Sequence, residues 1–106
     1  MIVTVFRSRL NPEAAEEYGR WAEHIATLAR SMPGYISHKG FTAQDGERVT
    51  LVEFEGEEHV RAWAAHPVHL EAMSLGRKGF YTEYRIQVCS VLRQSAFQSD
   101  PNLSAF

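Results

Sequence analysis

Only one cysteine, Cys89, occurs in the 106 residues, so no intrachain disulfide and no thiolate zinc cage can form. Long apolar runs are also missing. The longest, Ala62–Ala65, is four residues, against the roughly 20 that a membrane-spanning helix needs. No charged-then-apolar leader precedes the first strand-like segment, which predicts a cytoplasmic protein that does not engage a membrane. Charge of one sign is scarce too: 11 Lys and Arg nearly balance 13 Asp and Glu, leaving −2. Phosphate binding needs a concentrated basic patch, so no nucleic-acid partner is expected. The seven glycines form neither G-x-G-x-x-G nor a phosphate loop, and no G-x-S-x-G elbow is present, so nothing supports a dinucleotide cofactor or a hydrolase. His59, His66 and His69 lie close in sequence, but no acid or thiolate joins them at a zinc spacing. No metal is expected.

What is present is a core. With 44% hydrophobic residues the chain is not intrinsically disordered, and its length suits a single domain. Residues 2–10 open with β-branched and apolar side chains and then alternate, which predicts a strand. Asn11-Pro12-Glu13 supplies a cap, a first-turn proline and a first-turn acid, so a helix is expected over 12–31. Its apolar stripe runs through Ala14, Tyr18, Trp21, Ala22, Ile25, Leu28, Ala29 and Met32. Met32-Pro33-Gly34 ends it.

Tyr35–Thr42 and Arg48–Glu55 read as paired strands around a Gln44-Asp45-Gly46 turn, since Asp-Gly is a favoured hairpin turn in which both residues tolerate positive φ. A second helix over 56–66 is interrupted by Pro67 and followed by a shorter one over 68–78. Phe80–Leu92 reads as the last strand, with Tyr84, Ile86, Val88, Ser90 and Leu92 on one face and Arg85, Gln87, Cys89 and Val91 on the other. Cys89 is expected as a small buried hydrophobe. The order β-α-β-β-α-β is the split arrangement of an α+β, ferredoxin-like domain with helices on one side of an antiparallel sheet. The domain is expected over 1–92, followed by a polar tail over 93–106. Val3, Val5, Cys89 and Val91 give the sheet a second apolar face, which predicts a homodimer.

From Glu53 the residues become more specific. Glu53-Phe54-Glu55, then Trp63-x-x-His66-Pro67-x-His69, then Gly76-Arg77-Lys78-Gly79-Phe80-Tyr81 resemble the antibiotic biosynthesis monooxygenase family, as does the Met32-Pro33-Gly34-Tyr35 junction. The resemblance spans about 1–92. It implies a protomer that pairs into a dimeric α/β barrel, and an activity within a family that includes cofactor-free oxygenases of aromatic compounds, quinol monooxygenases and haem-degrading enzymes.

Fold and function separate in such a family, so particular residues must carry the function. Trp63, His66 and His69 fall at i, i+3 and i+6, with Tyr81, Tyr84 and Arg85 entering from the last strand and Phe6 and Arg7 from the first. An aromatic pocket with a few hydrogen-bonding groups suits a flat, electron-rich ligand. In an oxygenation without a cofactor the substrate itself gives electrons to molecular oxygen. His69, Tyr84 and Arg85 are the candidate acid–base and anion-stabilising groups, and Phe6, Trp63, His66, Met73 and Tyr81 the candidate substrate contacts.

Structural roles compete at each position: Trp63 as core, His66 as a helix-end cation, Tyr81 or Tyr84 as sheet packing. Two other functions stay open. One is a non-catalytic small-ligand binding module. The other is haem binding, since the haem-degrading branch has a Trp where Trp63 stands, an Asn at or beside Phe6 and an iron-ligating His near Met73.

Overall fold

Asn11 and Pro12 turn the chain from strand to helix. The Asn11 side chain accepts from the Glu13 amide at 3.1 Å and donates through Nδ2 to the Gly79 carbonyl at 3.2 Å. The computed structural model, which describes residues 1–100, places strand β1 at Ile2–Leu10 and a tight 3-10 turn at Pro12–Ala14. Helix α1 follows at Ala15–Ser31, so the expected single helix is divided into a proline-started turn and a longer α segment. Gly34 then takes φ 80°, and a Cβ there would overlap the His59 ring. Only glycine fits both demands.

Strands β2 (Tyr35–Thr42) and β3 (Arg48–Phe54) form a hairpin that turns through Gln44-Asp45-Gly46, as expected. The Gly46 amide donates to the Ala43 carbonyl at 3.0 Å, and the Ala43 amide to the Glu47 carbonyl at 2.8 Å. Among the described residues only Gly34 and Gly46 have positive φ, so Asp45 does not. Its carboxylate instead accepts from the Glu47 amide at 3.0 Å, a local bond that holds the turn without a left-handed aspartate.

Helix α2 (Glu57–Ala65) and helix α3 (Pro67–Leu75) are separate, as Pro67 requires. His66 joins them. It was expected as a cation at the end of α2, but its Nδ1 accepts from the Val68 amide at 3.1 Å and so caps the start of α3. A π-helical turn at Gly76–Phe80 leads into strand β4, Tyr81–Ser90. Residues 91–100 carry no regular structure, and 101–106, with Pro101 and the Asn102-Leu103-Ser104 triplet, lie outside the described residues.

The four strands are antiparallel in the order β2-β3-β1-β4. This is the ferredoxin-like α+β fold. Phe6 stands opposite Thr50 and Ile86, and Thr4 opposite Val52 and Val88, so these side chains share the helix-covered face. Val3, Val5 and Arg7, opposite Cys89, Gln87 and Arg85, share the outer face. Cys89 is therefore exposed, not buried, because no layer of this chain covers that side.

The buried cluster Ala29, Phe54, Val60 and Trp63, with Ile2, Ile25, Leu28, Met32, Tyr35 and Val52 against it, fills one end of the space between sheet and helices. At the other end Phe80 packs edge-on against Tyr18, 5.9 Å between centroids. Between these two ends the layers do not close.

Candidate functional site

The gap left between the layers is a cavity of about 500 Å³. That volume is in the range of small-molecule sites. Its floor is Thr4, Phe6, Thr50, Val52, Ile86 and Val88 from the sheet. Its roof includes Tyr18, Trp21 and Ile25 from α1, Trp63 from α2, and His69 and Met73 from α3. Ile86 and Val88 line it yet are 43% and 55% exposed, so the cavity opens along the edge strand β4.

Five of the eight residues singled out from sequence line this space: Phe6, Trp63, His69, Met73 and Tyr81. Tyr81 arrives there through a bulge. Arg9 stands opposite Glu83 but Leu10 stands opposite Tyr81, so Thr82 is an extra residue. Without it Tyr81 and Tyr84, three apart, would point to opposite faces. With it both rings meet Phe6, at 5.4 and 5.7 Å between centroids.

The other three fall elsewhere. His66 is the α3 cap already described, its ring tilted beside Trp63 at 6.3 Å. Tyr84 does not line the large cavity; its hydroxyl accepts from Arg77 at 3.4 Å. Arg85 sits one position beyond Tyr84 and therefore faces outward. It borders a cleft of about 130 Å³ with Arg7, Ser8, Glu47, Glu83 and Tyr84 itself, so Tyr84 and Arg85 meet there and not in the large cavity. Arg7 is tied there to Glu47 by paired bonds of 2.9 and 3.1 Å, and its guanidinium holds the Glu47 carboxyl below the usual range. Sheet alternation thus removes Arg85 and Arg7 from the aromatic cavity.

His69 is the chemically poised group. Its ring lies against Trp63, 4.7 Å between centroids, and its Nδ1 is buried without a hydrogen-bond partner among the described residues. Burial pushes its pKa below 6.5; the Ala64 backbone opposes that shift and the neighbouring His66 adds to it. The ring is neutral at physiological pH and can take up a proton. Tyr81 is shifted the other way: burial, then Tyr18 beside it, hold its phenol protonated.

Sequence reading passed over Tyr18 and Trp21, which it took as helix stripe, and His38 and Arg48. Each lines the cavity. His38 Nδ1 is 2.6 Å from the Tyr35 hydroxyl, and the Arg48 guanidinium lies over the Tyr18 ring at 5.1 Å from its centroid. The available signal was the two-residue period Arg48, Thr50, Val52, which puts Arg48 on the covered face of β3.

Residues 1–75 match the family model for antibiotic biosynthesis monooxygenase. The chain belongs to the antibiotic biosynthesis monooxygenase family. YqjZ of Bacillus subtilis (strain 168), an uncharacterized protein, is 30% identical over 98 residues, spanning 92% of this chain and 86% of its own. A Deinococcus radiodurans crystal structure, provisionally given the same family name, superposes with a TM-score of 0.82 at 14% identity, covering 93% of this chain and 100% of that one. SnoaB, a cofactor-independent oxygenase from Streptomyces nogalater, superposes with a TM-score of 0.74 at 19% identity, covering 89% and 94% respectively. At such identities the two structures establish the shared fold. Among the described residues no helix is long and apolar enough to cross a membrane.

Proposed function

We propose that the protein is a cofactor-independent monooxygenase of a small aromatic or quinol-type compound. The observation that carries this reading is His69, whose imidazole lies against Trp63 and lines an aromatic cavity in a chain of this family. His69 accepts the phenolic proton of the bound substrate. The resulting phenolate gives electron density from its para carbon to O2, forming a C–O bond and a peroxide that picks up a proton. Loss of the C–H proton from that carbon breaks the O–O bond. The products are one quinone and one water from one phenol and one O2.

Oxygen uptake tests this directly. With a panel of polycyclic phenols, at least one substrate is expected to consume one O2 per quinone formed, with one labelled atom from labelled O2 in the product. Tight binding of the same phenols without oxygen uptake would favour a non-catalytic binding module. A Soret band on haem titration that His69→Ala abolishes would favour haem binding.

We also propose that the working unit is a homodimer joined through the outer sheet face. Val3, Val5, Val49 and Leu51 occupy that face, and Phe41 is 50% exposed in a single chain. A permanent dimer of this kind buries on the order of 2,000 Å² or more. Val5→Arg is expected to shift sedimentation at micromolar concentration from dimer to monomer. A wild type that sediments as a stable monomer would refute the dimer.

A further inference from the structure

We infer that the cavity takes an aromatic ligand bearing an acidic oxygen, a carboxylate or phenolate, and that Arg48 is the residue that selects for it. The inference deepens the reading of the cavity as a ligand site and rests on it. Arg48 is the one guanidinium among the described lining residues, half-buried on the covered face of β3. It forms no ion pair and no side-chain hydrogen bond among the described residues. The two arginines of β1 are different: Arg7 is held by Glu47, and Arg9 by Asp45 and Glu83. Glu23 also lines the cavity and does not neutralise Arg48.

The guanidinium lies over the Tyr18 ring, with Cζ 5.1 Å from its centroid, and its N–H donors have no hydrogen-bond partner among the described residues. Those donors match the two oxygens of a carboxylate, or a single phenolate oxygen. The neighbouring phenols add to this. Tyr18 and Tyr81 stand edge to face, 5.7 Å between centroids, and bring two phenols to the same cavity. The apolar floor and the Trp63 wall supply the surface for the ring system. A purely structural brace for Tyr18 would need the stacking alone, and would set no preference between charged and neutral ligands.

The matched probes naphthol and hydroxynaphthoate, which differ by one carboxylate, separate these cases. Trp21 and Trp63 both line the cavity, so intrinsic fluorescence reads binding without any turnover. The wild type is expected to bind hydroxynaphthoate about tenfold or more tightly than naphthol, as a charge-assisted pair permits. In Arg48→Met that preference is expected to fall to about twofold or less, with naphthol affinity and melting temperature kept, and Arg48→Lys should recover part of it. A preference that survives Arg48→Met, or equal binding by the wild type, overturns the inference while leaving the oxygenase reading intact. Equal weakening of both probes in Arg48→Met marks a structural brace and overturns it as well. Failure of the wild type to bind either probe would remove the cavity as an aromatic site, and the proposed function with it.

Discussion

His69→Ala is expected to lower kcat by about 10²–10⁴-fold on a phenol that the wild type oxygenates, the usual worth of one acid–base group. The size follows from how the ring is held. Contact with Trp63 fixes its position at the cavity wall, and its Nδ1 has no hydrogen-bond partner among the described residues. Removing it leaves the substrate proton with no acceptor at that wall. His69→Gln should lose as much rate while keeping a polar side chain in place, which separates proton transfer from simple hydrogen bonding.

The pH profile gives a second readout. The neutral imidazole is the active form, so rate falls as pH drops through a pKa that burial has moved below 6.5. His69→Ala should lose that acid limb. Stability has the same sign. The unfolded chain binds a proton at 6.5 while the folded chain resists it, so this contribution is intact above 6.5 and is lost as pH falls. An unchanged rate and acid limb in His69→Ala would end the assignment of His69 as the base.

How the cavity was legible, and where it was not, comes down to periodicity. Helix and strand periods are local, so the Tyr18–Met32 stripe, the Pro67 break and the element order could all be read from single segments. Of the Trp63-x-x-His66-Pro67-x-His69 run, Trp63 and His69 reach the cavity and His66 does not. Errors arose where one inserted or capping residue changes direction. Thr82 is such a residue: its bulge brings Tyr81 and Tyr84 to one side, which no alternation rule anticipates. His66 is another, since whether an imidazole caps a helix start or faces a helix end depends on backbone geometry at one position. Arg85 was placed in the site on proximity in sequence to Tyr84, although its parity sends it outward. Arg48 was passed over because a lone arginine in a strand reads as solvated surface. Its significance appears only when the sheet order puts β3 beside β1 in the middle of the sheet and the fold brings Tyr18 of α1 against Arg48.

Trp63→Ala is expected to destabilise the fold by about 3–5 kcal/mol, the range for truncating a buried large aromatic. Trp63 is 8% exposed and one of the four residues of the buried cluster, so its loss opens the packing against Phe54 and Val60. The other side of the ring borders a cavity that is already open. Solvent can enter the space vacated there, so the cost lies nearer 3 than 5 kcal/mol, on the order of a 12–24 °C fall in melting temperature for a domain of this size. The same truncation frees His69, whose ring leans on Trp63, and removes a wall from the cavity.

Naphthol affinity should therefore fall together with stability. Trp63→Phe keeps an aromatic wall and most of the packing, and should retain the fold if the alanine variant cannot be purified. Phe54→Ala supplies the contrast: that side chain is 1% exposed and does not line the cavity. It should cost stability on the same scale while leaving affinity in the folded fraction close to wild type. Loss of stability without loss of naphthol affinity in both Trp63 variants would make Trp63 a core residue alone and place the ligand somewhere other than this cavity.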